Sequence, residues 1–112
     1  MSFEDLLKSL QQDYINALPA KIEIIKKQVA SKDVSEIRES FHKLKGTGRT
    51  YGLPEVSELA ALVEAFCLAQ SAHALTAAQH ALVVLTEIHS ARSKQQEFAL
   101  TQSSAFQEIQ KL

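Results

Sequence analysis

Phe41-His42-Lys43-Leu44-Lys45-Gly46-Thr47-Gly48-Arg49-Thr50-Tyr51-Gly52 is the most informative stretch of the chain. With about 100° of rotation per helical residue, Ile37, Phe41, Leu44 and Gly48 gather on one side. His42 points roughly 140° away from the centre of that cluster. Arg38, Lys45, Gly46 and Arg49 share its outward face within about two turns. The stretch therefore reads as an amphipathic helix with a solvent-facing histidine flanked by cations and a glycine one turn below it. Gly52 suits a left-handed cap at its end, and Pro54 suits the first turn of the next helix.

Working outward, the same periodicity recurs on both sides. Asp33 with Glu36 resembles a capping box opening the histidine helix, and Ser31-Lys32-Asp33 reads as the connection before it. Upstream, Leu18, Ile22, Ile25 and Val29 form an apolar stripe, with Lys21, Lys26 and Lys27 off it. Pro19 has no amide N–H, so it is expected at the first turn of that helix. A separate N-terminal helix is then expected, carrying Phe3, Leu6, Leu7, Leu10 and Tyr14 and capped by Ser2 with Asp5. Downstream, Val56, Leu59, Ala60, Val63 and Phe66 repeat the stripe. After a connection at 71–75, Thr76 with Gln79 is expected to open a helix carrying Ala78, Leu82, Leu85 and Ile88. Phe3, Tyr14, Phe41, Tyr51 and Phe66 are all expected on core stripes.

Beyond Lys94 the signal weakens. Phe98, Ala105, Ile109 and Leu112 could line one face, but residues 101–104 are poor helix formers. Short connections between amphipathic helices favour antiparallel neighbours. The expected fold is all-α: an antiparallel four-helix bundle with an additional N-terminal helix and a C-terminal helical extension. Residues 1–112 are expected to form a single domain with its core at about 3–93, and 95–112 as a tail or extra helix.

Composition narrows the function. The net charge is −1 over 112 residues, and the pI is about 6.4, which argues against a nucleic-acid binder that works by neutralising phosphates. Cys67 is the only cysteine, so neither an intrachain disulfide nor a Cys-rich zinc site can form. The N-terminus lacks the basic region of a signal peptide, and no apolar run approaches the ~20 residues that span a bilayer. A cytoplasmic protein without membrane contact, acting as a monomer, is the expectation. His73, His80 and His89 stand seven and nine residues apart, not at the spacing of a helical zinc pair, so no metal site is expected. Cys67, beside Phe66, reads as a small packed residue.

The outward face of the histidine helix carries the chemistry. A neutral imidazole is a nucleophile at physiological pH, since the ordinary pKa is near ~6.5. Lys45, three residues on, can reach phosphate oxygens, and Arg49 can support it from the next turn. Gly46 costs ~1 kcal/mol of helix stability relative to Ala, and in exchange leaves space open beside the imidazole. Gly48 falls on the buried face, where it would let a neighbouring helix approach closely.

His42, Leu44, Lys45, Gly46, Thr47 and Gly52 in this order resemble the signature of histidine-containing phosphotransfer (HPt) domains: His-x-Leu-Lys-Gly, a small residue, then a glycine ten residues after the histidine. Leu59, Leu62 and Glu64 resemble the family's next helix. The likeness covers roughly residues 3–93, with its specific part in 41–64. Gly48 departs from it, since the family more often has alanine there. The resemblance implies that His42 is the phospho-acceptor, that Lys45 stabilises the phosphoryl group and that Gly46 provides clearance. It also implies a phosphorelay intermediate that takes the group from a receiver-domain phospho-aspartate of a hybrid histidine kinase and passes it to a response regulator. The same resemblance implies that the receiver supplies Mg²⁺ and that the chain needs no cofactor of its own. Lacking a Gly-rich nucleotide loop, the chain is not expected to be a kinase or to bind ATP.

Two other functions are compatible with the same residues. One is a domain phosphorylated directly by a histidine kinase's ATP-binding domain. The other is a four-helix interaction module that works without phosphorylation. The apolar residues of 98–112 also raise self-association as a role for the tail.

Overall fold

The computed structural model describes residues 2–112 and is all-helical. Helix α1 spans Phe3–Ala30, α2 Val34–Thr50, α3 Pro54–Leu68 and α4 Ala74–Ser93. A 3₁₀ turn at Leu100–Gln102 leads into a short α5, Ser104–Gln110. Helices α1 to α4 pack in sequence order around a ring, α1 on α2, α2 on α3, α3 on α4 and α4 back on α1. Connections of three to five residues force neighbours to run antiparallel. The core is a single cluster fed by every helix, with Leu18, Ile25, Ile37, Phe41, Leu53, Leu59, Val63, Leu85 and Ile88 all essentially inaccessible.

The expected break at Pro19 is not there. Pro19 lies inside one 28-residue helix, although an internal proline typically costs ~3 kcal/mol. Tyr14 and Leu18 on one side of it and Ile25 on the other are buried in the same core. Tertiary packing along the unbroken stripe outweighs the missing backbone bond, and the proline ring faces solvent. The additional N-terminal helix is thus the first half of α1. Of the apolar residues assigned to it only Tyr14 is core: Phe3 is 73% exposed, and Leu6, Leu7 and Leu10 are exposed too. Those four exposed residues carry helical periodicity, but no described element covers them.

The start of α4 is a second correction. It begins at Ala74 after His73, with no side-chain cap, so Thr76 lies within the first turn. Ser71 instead accepts the His73 backbone N–H, which organises the preceding turn. Elsewhere the caps are as read: Ser2 Oγ accepts from Asp5 N and Asp33 Oδ1 from Glu36 N, both at 3.1 Å.

The α2–α3 turn is held from two sides. Gly52 has φ +82°, and a Cβ there would also collide with the Gln11 amide. Gln11 Nε2 donates to the Tyr51 carbonyl at 3.0 Å, and Arg92 Nη2 to the Gly52 carbonyl at 3.2 Å. Arg92 also forms a two-pronged ion pair with Glu55, at 2.7 and 2.9 Å, linking α4 to the first turn of α3. Glu55 is 7% exposed and Arg92 19%. Arg92→Ala strands that carboxylate. It is expected to destabilise the bundle by about 2 kcal/mol, less than the loss for a fully buried pair because the guanidinium keeps some solvent. Chemical denaturation at neutral pH checks this, and a loss under about 0.5 kcal/mol would show the pair to be dispensable.

The C-terminal segment folds back onto α4. Leu100, Phe106 and Ile109 are buried there. Ser103 Oγ caps α5 through the Phe106 N–H and donates to Glu87 at 2.7 Å. Of the face that suggested self-association, Ile109 is buried in the chain's own core, and Phe98, Ala105 and Leu112 pack against it in part.

Candidate functional site

Helix α2 presents His42 on the outside of the bundle because Ile37, Phe41, Leu44 and Gly48 bury its opposite face. The His42 side chain is 64% exposed. Its Nδ1 lies 2.6 Å from Glu64 Oε2, across the α2–α3 seam. The other Glu64 oxygen, Oε1, accepts from Lys45 Nζ, also at 2.6 Å. Lys45 is 41% exposed, while Glu64 is only 6% exposed. One nearly buried carboxylate thus holds the histidine and the lysine with separate oxygens.

The charge state of Glu64 follows from those contacts. The Lys45 ammonium lowers its pKa most, desolvation by burial opposes this, and the His42 contact lowers it again, so the carboxyl titrates below its ordinary value. An ionised carboxylate only accepts hydrogen bonds. The ring nitrogen facing it must therefore carry the proton, which leaves Nε2 of the neutral imidazole with a free lone pair directed to solvent. A buried carboxylate orienting an imidazole in one tautomer is also how hydrolytic triads prepare their base.

The remaining residues are arranged around this pair. Gly46 is exposed, and a Cβ built there would meet nothing within 4 Å, so the space beside the imidazole is open. Arg49 does not join the cluster: its guanidinium makes no hydrogen bond or ion pair among the described residues. It lines an open groove with Leu7, Leu10, Thr50 and Tyr51, between α1 and the end of α2. Arg38, half-buried, lines a recess with Val34, Cys67 and Gln70. Behind the site, Thr47 Oγ1 donates to the Lys43 carbonyl and meets Tyr14 Oη at 2.9 Å, and Tyr14 stacks on Tyr51 with ring centroids 5.1 Å apart. His73 is exposed before α4, and His89 Nε2 faces Ser93 Oγ at 3.3 Å. Cys67 is buried, which raises its thiol pKa.

Sequence reasoning did not single out Glu64 as a site residue. The signal was present: Glu64 stands between Val63 and Ala65 on α3's buried side, seven residues after Ser57 and three before Cys67. A carboxylate on an apolar stripe requires a partner, and periodicity does not say which.

A family model described as Hpt domain matches residues 9–97. No curated protein and no solved structure matches the chain.

Proposed function

The chain belongs to the Hpt domain family, and from that premise we propose that it is a phosphorelay intermediate carrying a phosphoryl group on Nε2 of His42. The observation that carries this reading is the 2.6 Å contact of Nδ1 with Glu64 on a side chain that is otherwise 64% exposed. In transfer, the Nε2 lone pair forms the N–P bond as the bond between phosphorus and the aspartyl oxygen of a receiver domain breaks, leaving the receiver's carboxylate. The Nδ1 proton stays between ring and carboxylate, so Glu64 offsets the positive charge that the ring acquires. Lys45 Nζ has three donors and can keep Glu64 while reaching a phosphoryl oxygen. Arg49 would contribute charge from the edge of the groove, toward the partner.

The Mg²⁺ of such a transfer fits the receiver and not this chain. Both Glu64 oxygens are engaged, and an ammonium sits beside them, an arrangement that repels a divalent cation. The partners are receiver domains of a hybrid histidine kinase and of a response regulator, and the chain acts as a monomeric cytoplasmic carrier, not as a kinase. No described helix is long and apolar enough to cross a membrane.

Incubation with a phosphorylated receiver, followed by mass spectrometry at neutral to alkaline pH, tests the reading. One phosphoryl group on His42, transferable to a second receiver, is expected. A folded sample that takes no label from several receivers would instead favour a non-phosphorylated interaction module.

Gly46 offers a separate check on clearance. Gly46→Ala is expected to stabilise the free protein by about 0.5–1 kcal/mol, since alanine is the better helix former and nothing stands in its way. The same change should slow transfer from the receiver. A more stable variant with unaltered transfer would reduce Gly46 to a neutral accident.

A further inference from the structure

Below the site, α3 touches the backbone of α2. Ser57, 3% exposed, accepts a hydrogen bond from the Arg49 amide at 2.6 Å and donates one to the Lys45 carbonyl at 2.8 Å. Lys45 and Arg49 are four residues apart, so this carbonyl and this amide are a donor–acceptor pair of the α2 ladder itself. The Ser57 hydroxyl reaches both members of the pair. It can do so because Gly48 leaves a notch: a Cβ at Gly48 would lie 2.9 Å from Ser57 N, Ser57 Oγ and Val56 Cβ.

Ser57 and Glu64 are seven residues apart, about two turns, and therefore on one face of α3. That face holds α2 at two levels, Glu64 through the His42 and Lys45 side chains and Ser57 through the Lys45 and Arg49 backbone. Lys45 is bound to α3 at both ends, by its carbonyl and by its ammonium. A glycine inside a helix and a hydroxyl reaching into its ladder both weaken that helix.

We infer that Ser57 is a positioning residue, which with the notch at Gly48 fixes the turn from Lys45 to Arg49 against α3 so that Lys45 and His42 meet Glu64 in register. The inference rests on the phosphorelay reading only for its effect on transfer. Its effect on the resting site can be measured without any phosphoryl group.

Ser57→Ala is the direct test. The freed Lys45 carbonyl and Arg49 amide can still bond to each other, so the variant is expected to fold. In alkaline buffer, the ¹⁵N shifts of the His42 imidazole should move from those of a single Nδ1–H tautomer toward a tautomeric average. Transfer at saturating phosphorylated receiver should fall roughly tenfold, with half-saturation unchanged. Gly48→Ala fills the notch and presses on the Ser57 backbone and Val56 as well as on the hydroxyl, so it should give a tautomer shift and a loss at least as large. A wild-type tautomer signature and rate in Ser57→Ala, whatever its melting temperature, would overturn the inference. If wild type accepts no phosphoryl group while Ser57→Ala shifts the tautomer, the positioning role stands and the proposed function falls.

Discussion

Replacing His42 with Gln is expected to abolish phosphoryl acceptance entirely while leaving the bundle intact. A glutamine amide nitrogen is delocalised into its carbonyl and has no lone pair to attack phosphorus, so no slower route through the same atom replaces the lost one. The fold should not suffer, because the side chain is 64% exposed and belongs to no core layer. The amide can also donate to Glu64 as Nδ1 does, which preserves the Glu64–Lys45 ion pair. Stability should stay within about 0.5 kcal/mol of wild type. Mass spectrometry at neutral to alkaline pH after exposure to a phosphorylated receiver provides the measurement. Label retained at wild-type stoichiometry in His42→Gln would remove His42 from the mechanism.

The second large effect concerns Glu64. Glu64→Ala should slow transfer by about 10–100-fold, since it removes both the acceptor that selects the tautomer and the anion that offsets charge on the phosphorylated ring. Lys45 is freed in the same variant, so a lysine limited by its contact with Glu64 would make transfer faster. The two outcomes have opposite signs, and a single-turnover rate separates them. The pH dependence has a defined direction as well. The folded-state pKa of Glu64 is lowered, chiefly by Lys45, so its contribution to stability is fully present above its ordinary value of 4.5 and is lost as pH falls through the lowered one. The stability difference between wild type and Glu64→Ala should therefore shift against wild type as pH falls below that ordinary value. Denaturation curves at several pH values read this directly, and a difference unchanged down to the acid limit would mean that the ion pair adds no stability.

Much of the bundle was legible in the linear pattern. The stripes Ile37–Phe41–Leu44–Gly48 and Val56–Leu59–Ala60–Val63 are buried as their spacing implies. Local chemistry was legible too, at Ser2, Asp33 and Gly52, because a cap or a left-handed turn involves only neighbours in the chain. The misread boundaries share a cause. Pro19 is a breaker by its local chemistry, yet the stripe keeps its phase through it, and burial on both sides prevails. Thr76 matched a capping motif that the actual helix start, two residues earlier, does not use. Phe3 to Leu10 show that periodicity defines a face without showing that anything in the chain covers it.

The candidate site divides along the same line. The sequence alone determined that His42 faces outward beside Lys45, Gly46 and Arg49, because residues on one helix keep a constant angular relation whatever the helix packs against. Which of these residues act together depends on how the helices pack. That packing brought Glu64 from another helix to His42 and Lys45, left Arg49 by the α1 groove, and set Ser57 in the notch at Gly48. Those partnerships depend on the rotation and spacing of α3 against α2, which follow from how two sets of side chains interlock. No pattern within one helix contains that information.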